Sequence, residues 1–186
     1  MSLNLLDPVQ NIPPLGDKIA SQGTTSLETN NIVWHYTTGN LLPLILKDGL
    51  VRLATANIDE DERPAVWFSS NQIWEKTSTK GMITSDSKLV TLTKEEMCRL
   101  CDGLARISVE RNVAPHNWEA YKKMSGVSAK MAGGMKQSAY TVGARISEWF
   151  VSFEAVPCEK WLGIEVWNGS SWEPYAPSCT HDRSYS

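Results

Sequence analysis

The end of the chain constrains the fold most strongly. Residues 144–156 (ARISEWFVSFEAV) and 161–169 (WLGIEVWNG) are two strand-like runs separated by Pro157. Both are rich in β-branched and aromatic residues, and the Asn-Gly pair that closes the second run is a strong hairpin signal. The second half of the chain is therefore predicted to be dominated by strands.

Helical patterns lie mainly in the first half. After a predicted strand at 32–36, residues 41–47 are predicted to form a helix with a proline in its first turn and Gly49 after its end. A second helix is predicted to start in NQIWEKTS (71–78), and a third begins at 94 and gives way to a strand at 105–109. This order favours an α+β fold over alternating βαβ units.

Further short segments complete this pattern. PAVWFSS (64–70) is predicted to be a short aromatic strand, and SKLVTLT (87–93) alternates like a strand. SGVSAKMAGGMK (125–136) is predicted to be mobile because it is rich in small residues.

Composition indicates one soluble domain. The 186 residues carry a net charge of −3, so no overall basic field attracts nucleic acid. No apolar stretch approaches the roughly 20 residues that cross a bilayer, so we expect no membrane partner. The start of the chain lacks secretory features, and its four cysteines are expected to be reduced in a cytoplasm. We predict a flexible arm at 1–30, a domain at 31–177 and a tail at 178–186.

Common motifs of other enzyme classes are missing from the sequence. Cys98-x-x-Cys101 has no second pair of the kind that completes a zinc site, and the acidic run at 59–62 lacks calcium-loop spacing. The chain contains neither a phosphate-binding P-loop nor a Gly-x-Ser-x-Gly nucleophile motif. We therefore predict no metal site.

Three segments occur in an order typical of one superfamily. The first is His35-Tyr36-Thr37 followed by LLPLILKDGL, the second is VWFSS (66–70), and the third is SEWFVSFEAVPCEKWLGIEVW (147–167). Together they resemble the ADP-ribosyltransferase superfamily, in particular its clade with a His, an aromatic residue and a Glu in the core. Within that clade the pattern is similar to DNA- or RNA-directed ADP-ribosyltransferase toxins and to RNA 2′-phosphotransferase-like proteins. The resemblance covers roughly residues 31–168, with 75–140 unmatched.

The resemblance implies both a fold and an activity. The fold would consist of two small, mostly antiparallel sheets around an NAD cleft. The activity would be transfer of ADP-ribose from NAD, used as a substrate and without a metal, to a macromolecular acceptor, which is a protein or a nucleic acid. The oligomeric state does not follow from the resemblance.

The resemblance gives the catalytic role to Glu148. Cleavage of the nicotinamide–ribose bond passes through an oxocarbenium-like state, as glycoside cleavage does. A carboxylate beside the sugar stabilises the positive charge that develops there. Family members that modify arginine or nucleic acid often carry a second polar residue two positions earlier, where this chain has Ile146. The class of acceptor therefore stays open.

The remaining site residues are expected to bind NAD. By resemblance, His35 would bind the adenosine ribose, while Thr37 and the backbone of Tyr36 would lie near the nicotinamide amide. Stacking on the nicotinamide ring needs a planar aromatic side chain, and Trp67 and Trp74 are both candidates. The set is completed by Ser69, on the same strand face as Trp67, and by Arg52, which could contact the pyrophosphate.

Two alternatives remain. One is a catalytically silent module on the same fold that binds a nucleotide, a nucleic-acid end or a protein. The other is an RNA 2′-phosphotransferase-like enzyme, although this acidic chain shows no obvious basic set for the extra phosphate. A Glu148 side chain that shares a cleft with His35 would favour the transferase, and a Glu148 that does not would favour the silent module.

Overall fold

A computed structural model describes residues 31–56, 58–83 and 85–176. The predicted arm (1–30) and tail (178–186) lie outside the described residues. Within them the chain is α+β, with four α-helices and antiparallel strands, which confirms the predicted class.

Seven strands form the main sheet, and every pairing between neighbours is antiparallel. In spatial order they are β11 (Trp172–Pro174), β10 (Trp161–Trp167), β6 (Leu104–Glu110), β1 (Ile32–Thr38), β3 (Val66–Ser69), β8 (Trp149–Ser152) and β7 (His116–Asn117). Two small ladders add β2 (Leu50–Val51) with β9 (Val156–Pro157), and β4 (Gly81–Ile83) with β5 (Leu89–Thr91).

The main sheet is almost divided between β1 and β3. β1 pairs with β6 along its whole length, but it pairs with β3 only at Trp34 and Ser69. Beyond that point a side chain spans the gap, because His35 Nδ1 lies 2.9 Å from the carbonyl oxygen of Trp67. We predicted two separate sheets, whereas the structure has two half-sheets joined through one residue pair.

Helices α1 and α2 follow local sequence signals. α1 (Leu42–Asp48) has proline in its first turn and ends at Gly49 in the left-handed conformation with φ 60°, as predicted. α2 (Lys94–Leu100) begins at a capping box in which Thr93 and Glu96 exchange side-chain-to-backbone hydrogen bonds. β6 follows α2, which confirms the strand predicted at 105–109.

Two local predictions were wrong. Residues 71–78 contain only a 3₁₀ turn at Lys76–Ser78, because the Asn71 side chain accepts hydrogen bonds from the backbone N–H groups of Ile73 and Trp74. Such a local side-chain bond competes with helix formation. The segment 125–136, predicted to be mobile, enters α4 (Ala129–Val142), which Ser128 caps at its N-terminus. The helix preceding it is α3 (Trp118–Met124).

The predicted C-terminal hairpin is present. β10 and β11 pair with Trp167 opposite Trp172. In the connecting loop the Asn168 side chain accepts hydrogen bonds from the backbone N–H groups of Ser170 and Ser171, each at 2.8 Å. The loop is therefore held by an asparagine side chain as well as by the conformational freedom of Gly169, whose φ is 105°.

Buried apolar residues form three clusters. The first lies on the face of β3 that carries Val66 and Phe68, as the strand alternation predicts. The second joins α3 and β8 through Trp118, Tyr121 and Trp149. The third covers the other half-sheet and contains Trp34, Tyr36, Trp74, Leu92, Met97 and Leu104. Four of the eight tryptophans, Trp34, Trp74, Trp118 and Trp149, are thus buried core residues.

Candidate active site

A cavity of about 660 Å³ lies where β1 and β3 separate, and we call it the aromatic cavity. Its walls come from β1, β3, the segment 75–80, one face of α4 and the first residue of β8. The lining residues are Trp34, His35, Tyr36, Trp67, Phe68, Ser69, Glu75, Thr77, Ser78, Thr79, Lys80, Met131, Gly134, Met135, Ser138 and Trp149.

His35 lies on this wall with a defined tautomer. A carbonyl oxygen can only accept, so Nδ1 carries the hydrogen and donates it to the Trp67 carbonyl at 2.9 Å. Burial of the ring lowers the pKa of His35 below its usual 6.5, the bond to Trp67 opposes that shift, and the charge of Lys80 adds to it. The imidazole is therefore neutral at pH 7. In the described part of the chain Nε2 has no partner, so it is a free acceptor.

A carboxylate that the sequence did not suggest also lines the cavity. Glu75 is buried and accepts hydrogen bonds from the Ser69 hydroxyl at 2.7 Å and from the Thr77 backbone and hydroxyl at 3.1 and 2.6 Å. Three donors satisfy a carboxylate without a cation. No sequence signal marked Glu75, because it lies in a polar run without a motif.

The aromatic cavity adjoins a side groove of about 360 Å³ along α1. His35, Tyr36, Ser78 and Lys80 line both spaces, and Lys80 is exposed at their junction. Thr37 and Arg52 line the groove only. Arg52 forms a 3.0 Å ion pair with Asp48, and its side chain is largely exposed.

The structure separates the two candidate stacking residues. Trp67 lines the aromatic cavity, with its ring 4.5 Å from Tyr121 and 5.9 Å from Trp149 in edge-to-face contacts. Trp74 is buried in the third core cluster, 5.2 Å from Tyr36 and 6.3 Å from Trp172, and it does not line the cavity. Ser69 accompanies Trp67, as predicted from the strand alternation.

The phenol group of Tyr36 has a structural role. Its hydroxyl donates to the Asn71 carbonyl, and Arg106 Nη1 lies 3.5 Å from it. Burial raises the pKa of Tyr36 to about 12, although Arg106 opposes that shift. The side chain therefore fixes the segment that follows β3.

Glu148 lies beside this site but is not part of the cavity wall. It ends the 3₁₀ turn Ile146–Glu148, one residue before β8. Its carboxylate accepts from Asn71 Nδ2 at 3.1 Å and pairs with Arg145, and its side chain is 12% exposed. The next residue, Trp149, does line the cavity. His35 and Glu148 thus do not share the aromatic cavity.

The described ranges contain no group of three or more His, Cys, Asp or Glu side chains that could hold a metal ion. Cys98, Cys101 and Cys158 are free thiols. No helix in those ranges is both long and apolar enough to cross a bilayer.

Comparison with known proteins identifies no relative. A scan against protein-family models found no match, and neither did searches of curated proteins and of solved structures.

Proposed function

We propose that this protein binds NAD across the aromatic cavity and the side groove, that NAD binding brings the Glu148 carboxylate into the cavity, and that the protein is then an NAD-dependent ADP-ribosyltransferase acting on a protein or nucleic-acid acceptor. The observation that supports this most is the arrangement of two adjoining spaces with His35, Tyr36, Ser78 and Lys80 on their common wall. NAD likewise has two ring systems joined by a charged pyrophosphate.

The size and chemistry of the two spaces suit such a ligand. Ligand sites are typically about 300–1,000 Å³ and mostly apolar with a few placed polar groups. Trp67 offers an aromatic surface for the nicotinamide ring. Lys80, at the junction, and Arg52, in the groove, offer cations for the pyrophosphate, and the free Nε2 of His35 can accept a hydrogen bond from a ribose hydroxyl.

In this proposal Glu148 stabilises the oxocarbenium-like transition state. Its carboxylate is held near the end of β3 by Asn71. To reach the sugar, it has to release Arg145, whose side chain is 75% exposed and so is free to move into water. The Glu148 side chain is only 12% exposed, so the carboxylate that is released needs a new partner, and in this proposal that partner is the positive charge developing on the sugar. Glu75 positions Ser69 and Thr77 and is not assigned to the reaction.

A second candidate, the catalytically silent nucleotide-binding module, is favoured by one specific observation. Glu148 does not line the cavity, and both of its oxygens already have partners. If the pair with Arg145 persists when NAD is bound, Glu75 is the one carboxylate among the described residues that line the aromatic cavity, and it already has three donors.

Calorimetric titration with NAD tests binding without reference to an acceptor. Lys80→Met should weaken binding about tenfold, the lower end of what a charge-assisted contact contributes. Lys123→Met is the matched control, because Lys123 is an exposed lysine on α3 outside both spaces. Trp67→Leu should remove stacking worth about 1–3 kcal/mol. Absence of any binding heat with the wild type would refute the NAD cleft and with it the transferase.

Release of nicotinamide in a cell lysate then separates the transferase from the silent module. Glu148→Gln should lower the rate by about 10²–10³-fold while leaving NAD affinity almost unchanged, because its contact matters mainly in the transition state. Arg145→Met should preserve turnover or raise it. NAD binding without nicotinamide release by the wild type would favour the silent module.

A further inference from the structure

A second concave region lies at the opposite end of β8, and we call it the basic pocket. It has a volume of about 450 Å³. Trp149 at the start of β8 lines the aromatic cavity, and Ser152 at its end lines the basic pocket. At about 3.3 Å per residue the two positions are about 10 Å apart along the strand. No described residue lines both the basic pocket and either of the two spaces assigned to NAD.

Arg63 lines this pocket, and the N–H groups of its guanidinium are available as hydrogen-bond donors. Its guanidinium lies 4.4 Å from the ring centroid of Phe153. Contact with a ring face holds a guanidinium in place without using the N–H groups at its edge. Among the described residues no carboxylate or carbonyl bonds these groups, whereas the guanidinium of Arg106 is paired with Glu165 and that of Arg145 with Glu148.

Two further donors surround the same phenylalanine. The His116 ring lies 5.3 Å from the Phe153 ring, and Lys160 closes the pocket at the end of the 3₁₀ turn Cys158–Lys160. Neither side chain has an ion pair within the described part of the chain. One carboxylate, that of Glu154, also lines the pocket, so two permanent cations and an imidazole face a single negative group.

From this arrangement we infer that the basic pocket binds the phosphate group of a small phosphate ester. A guanidinium edge, an ammonium and an imidazole are the side chains that hold phosphate oxygens through charge-assisted hydrogen bonds. The volume leaves room for a sugar-sized group beside the phosphate. The site is local, since the whole chain carries a net charge of −3. It does not depend on the proposed function.

Titration of ¹⁵N-labelled protein with ribose 5-phosphate tests the inference. We expect saturable shifts of the backbone amides at 152–156, and no saturation with ribose, which lacks the phosphate. Amides at 34–37 report on the NAD cleft in the same spectra, so a failure of one site is distinguishable from a failure of the other. Inorganic phosphate is a separate arm: if it saturates the same amides and the ester does not, the inference of an ester site is overturned.

Variants make the test specific. Arg63→Ala should weaken binding about tenfold, and Lys160→Ala should also weaken it, because each removes a charged donor. Glu154→Gln should tighten binding, since it removes the one negative group in the lining, and Lys123→Ala should change nothing. All four positions are exposed, so the variants should stay folded. No saturation up to about 10 mM ester, equal shifts with ribose, or an Arg63→Ala affinity equal to wild type would overturn the inference.

Discussion

Replacement of Arg106 by methionine tests the contact that holds β6, β10 and the segment after β3 together. The guanidinium forms a two-point pair with Glu165, at 2.7 Å from Nε and 3.0 Å from Nη2. It also donates to the Gln72 carbonyl, and it lies 4.6 Å from the ring of Trp172. Methionine keeps the apolar stem and removes only the charged group.

The expected cost follows from the burial of the two partners. Arg106 is 8% exposed and the Glu165 side chain 26%. Removing one partner of a buried ion pair typically costs about 3–5 kcal/mol, because the other charge is left uncompensated. Since water can reach a quarter of Glu165, we expect the lower end, about 3 kcal/mol. For a domain of this size that corresponds to a fall in melting temperature of about 6–12 °C.

Urea unfolding and thermal melts of a double-mutant cycle provide the measurement. Glu165→Met alone should cost a similar free energy, whereas the double variant should be at least about 1 kcal/mol more stable than the sum of the two losses implies. Lys122→Met is the control, because Lys122 and Glu119 form an exposed pair expected to contribute less than about 1 kcal/mol. Additive losses, or an Arg106→Met variant as stable as the control, would refute this account of the pair.

Three further predictions concern pH and backbone space. Tyr36 has a pKa raised to about 12 by burial, so the stability that it contributes is present below pH 10 and lost as the pH rises towards 12. Urea unfolding of Tyr36→Phe should show a smaller alkaline loss than wild type, and parallel losses would contradict this. Burial lowers the pKa of His35, so the stability that the neutral ring contributes is present above pH 6.5 and lost as the pH falls below that value. His35→Gln should reduce this loss of stability in acid, and an acid unfolding profile equal to that of the wild type would contradict the prediction. Gly39→Ala should lower the unfolding free energy by about 1–3 kcal/mol, because the new methyl carbon would lie 1.8 Å from the Asp102 carbonyl oxygen. Gly133→Ala is the control: no atom lies within 4 Å of its new methyl carbon, so it should not destabilise the protein.

The parts of the fold that local signals determine were predictable. The strand at the start of the described region, the helix ended by Gly49 and the C-terminal hairpin were all found near their predicted positions. Where a polar side chain competes with the backbone, prediction failed, since the Asn71 side chain replaces a helix after β3 with a turn. α4 was missed because its small residues carry almost no apolar pattern, and packing over the cavity was not visible in the sequence.

The candidate site was predictable only where strand geometry determines it. Alternation along β3 placed Trp67 and Ser69 together, and the end of β1 carried His35 to the same cavity. Sequence could not distinguish Trp67 from Trp74, because the difference comes from the tertiary contacts that bury Trp74 against Tyr36 and Trp172. Lys80 and Glu75 were missed because they lie in an irregular segment that carries no motif, and only the tertiary fold brings that segment to the cavity.

The composition of α4 has a consequence for how a ligand enters the aromatic cavity. Met131, Gly134 and Met135 of this helix line the cavity, and Gly133 and Gly134 interrupt it near its middle. Each glycine costs a helix about 1 kcal/mol relative to alanine, and here no neighbouring atom lies close enough to require one. Amide hydrogens of α4 should therefore exchange with solvent sooner than those of β1 or β6, through a local opening well below global unfolding in free energy. Such an opening would uncover the cavity while both half-sheets keep their hydrogen bonds.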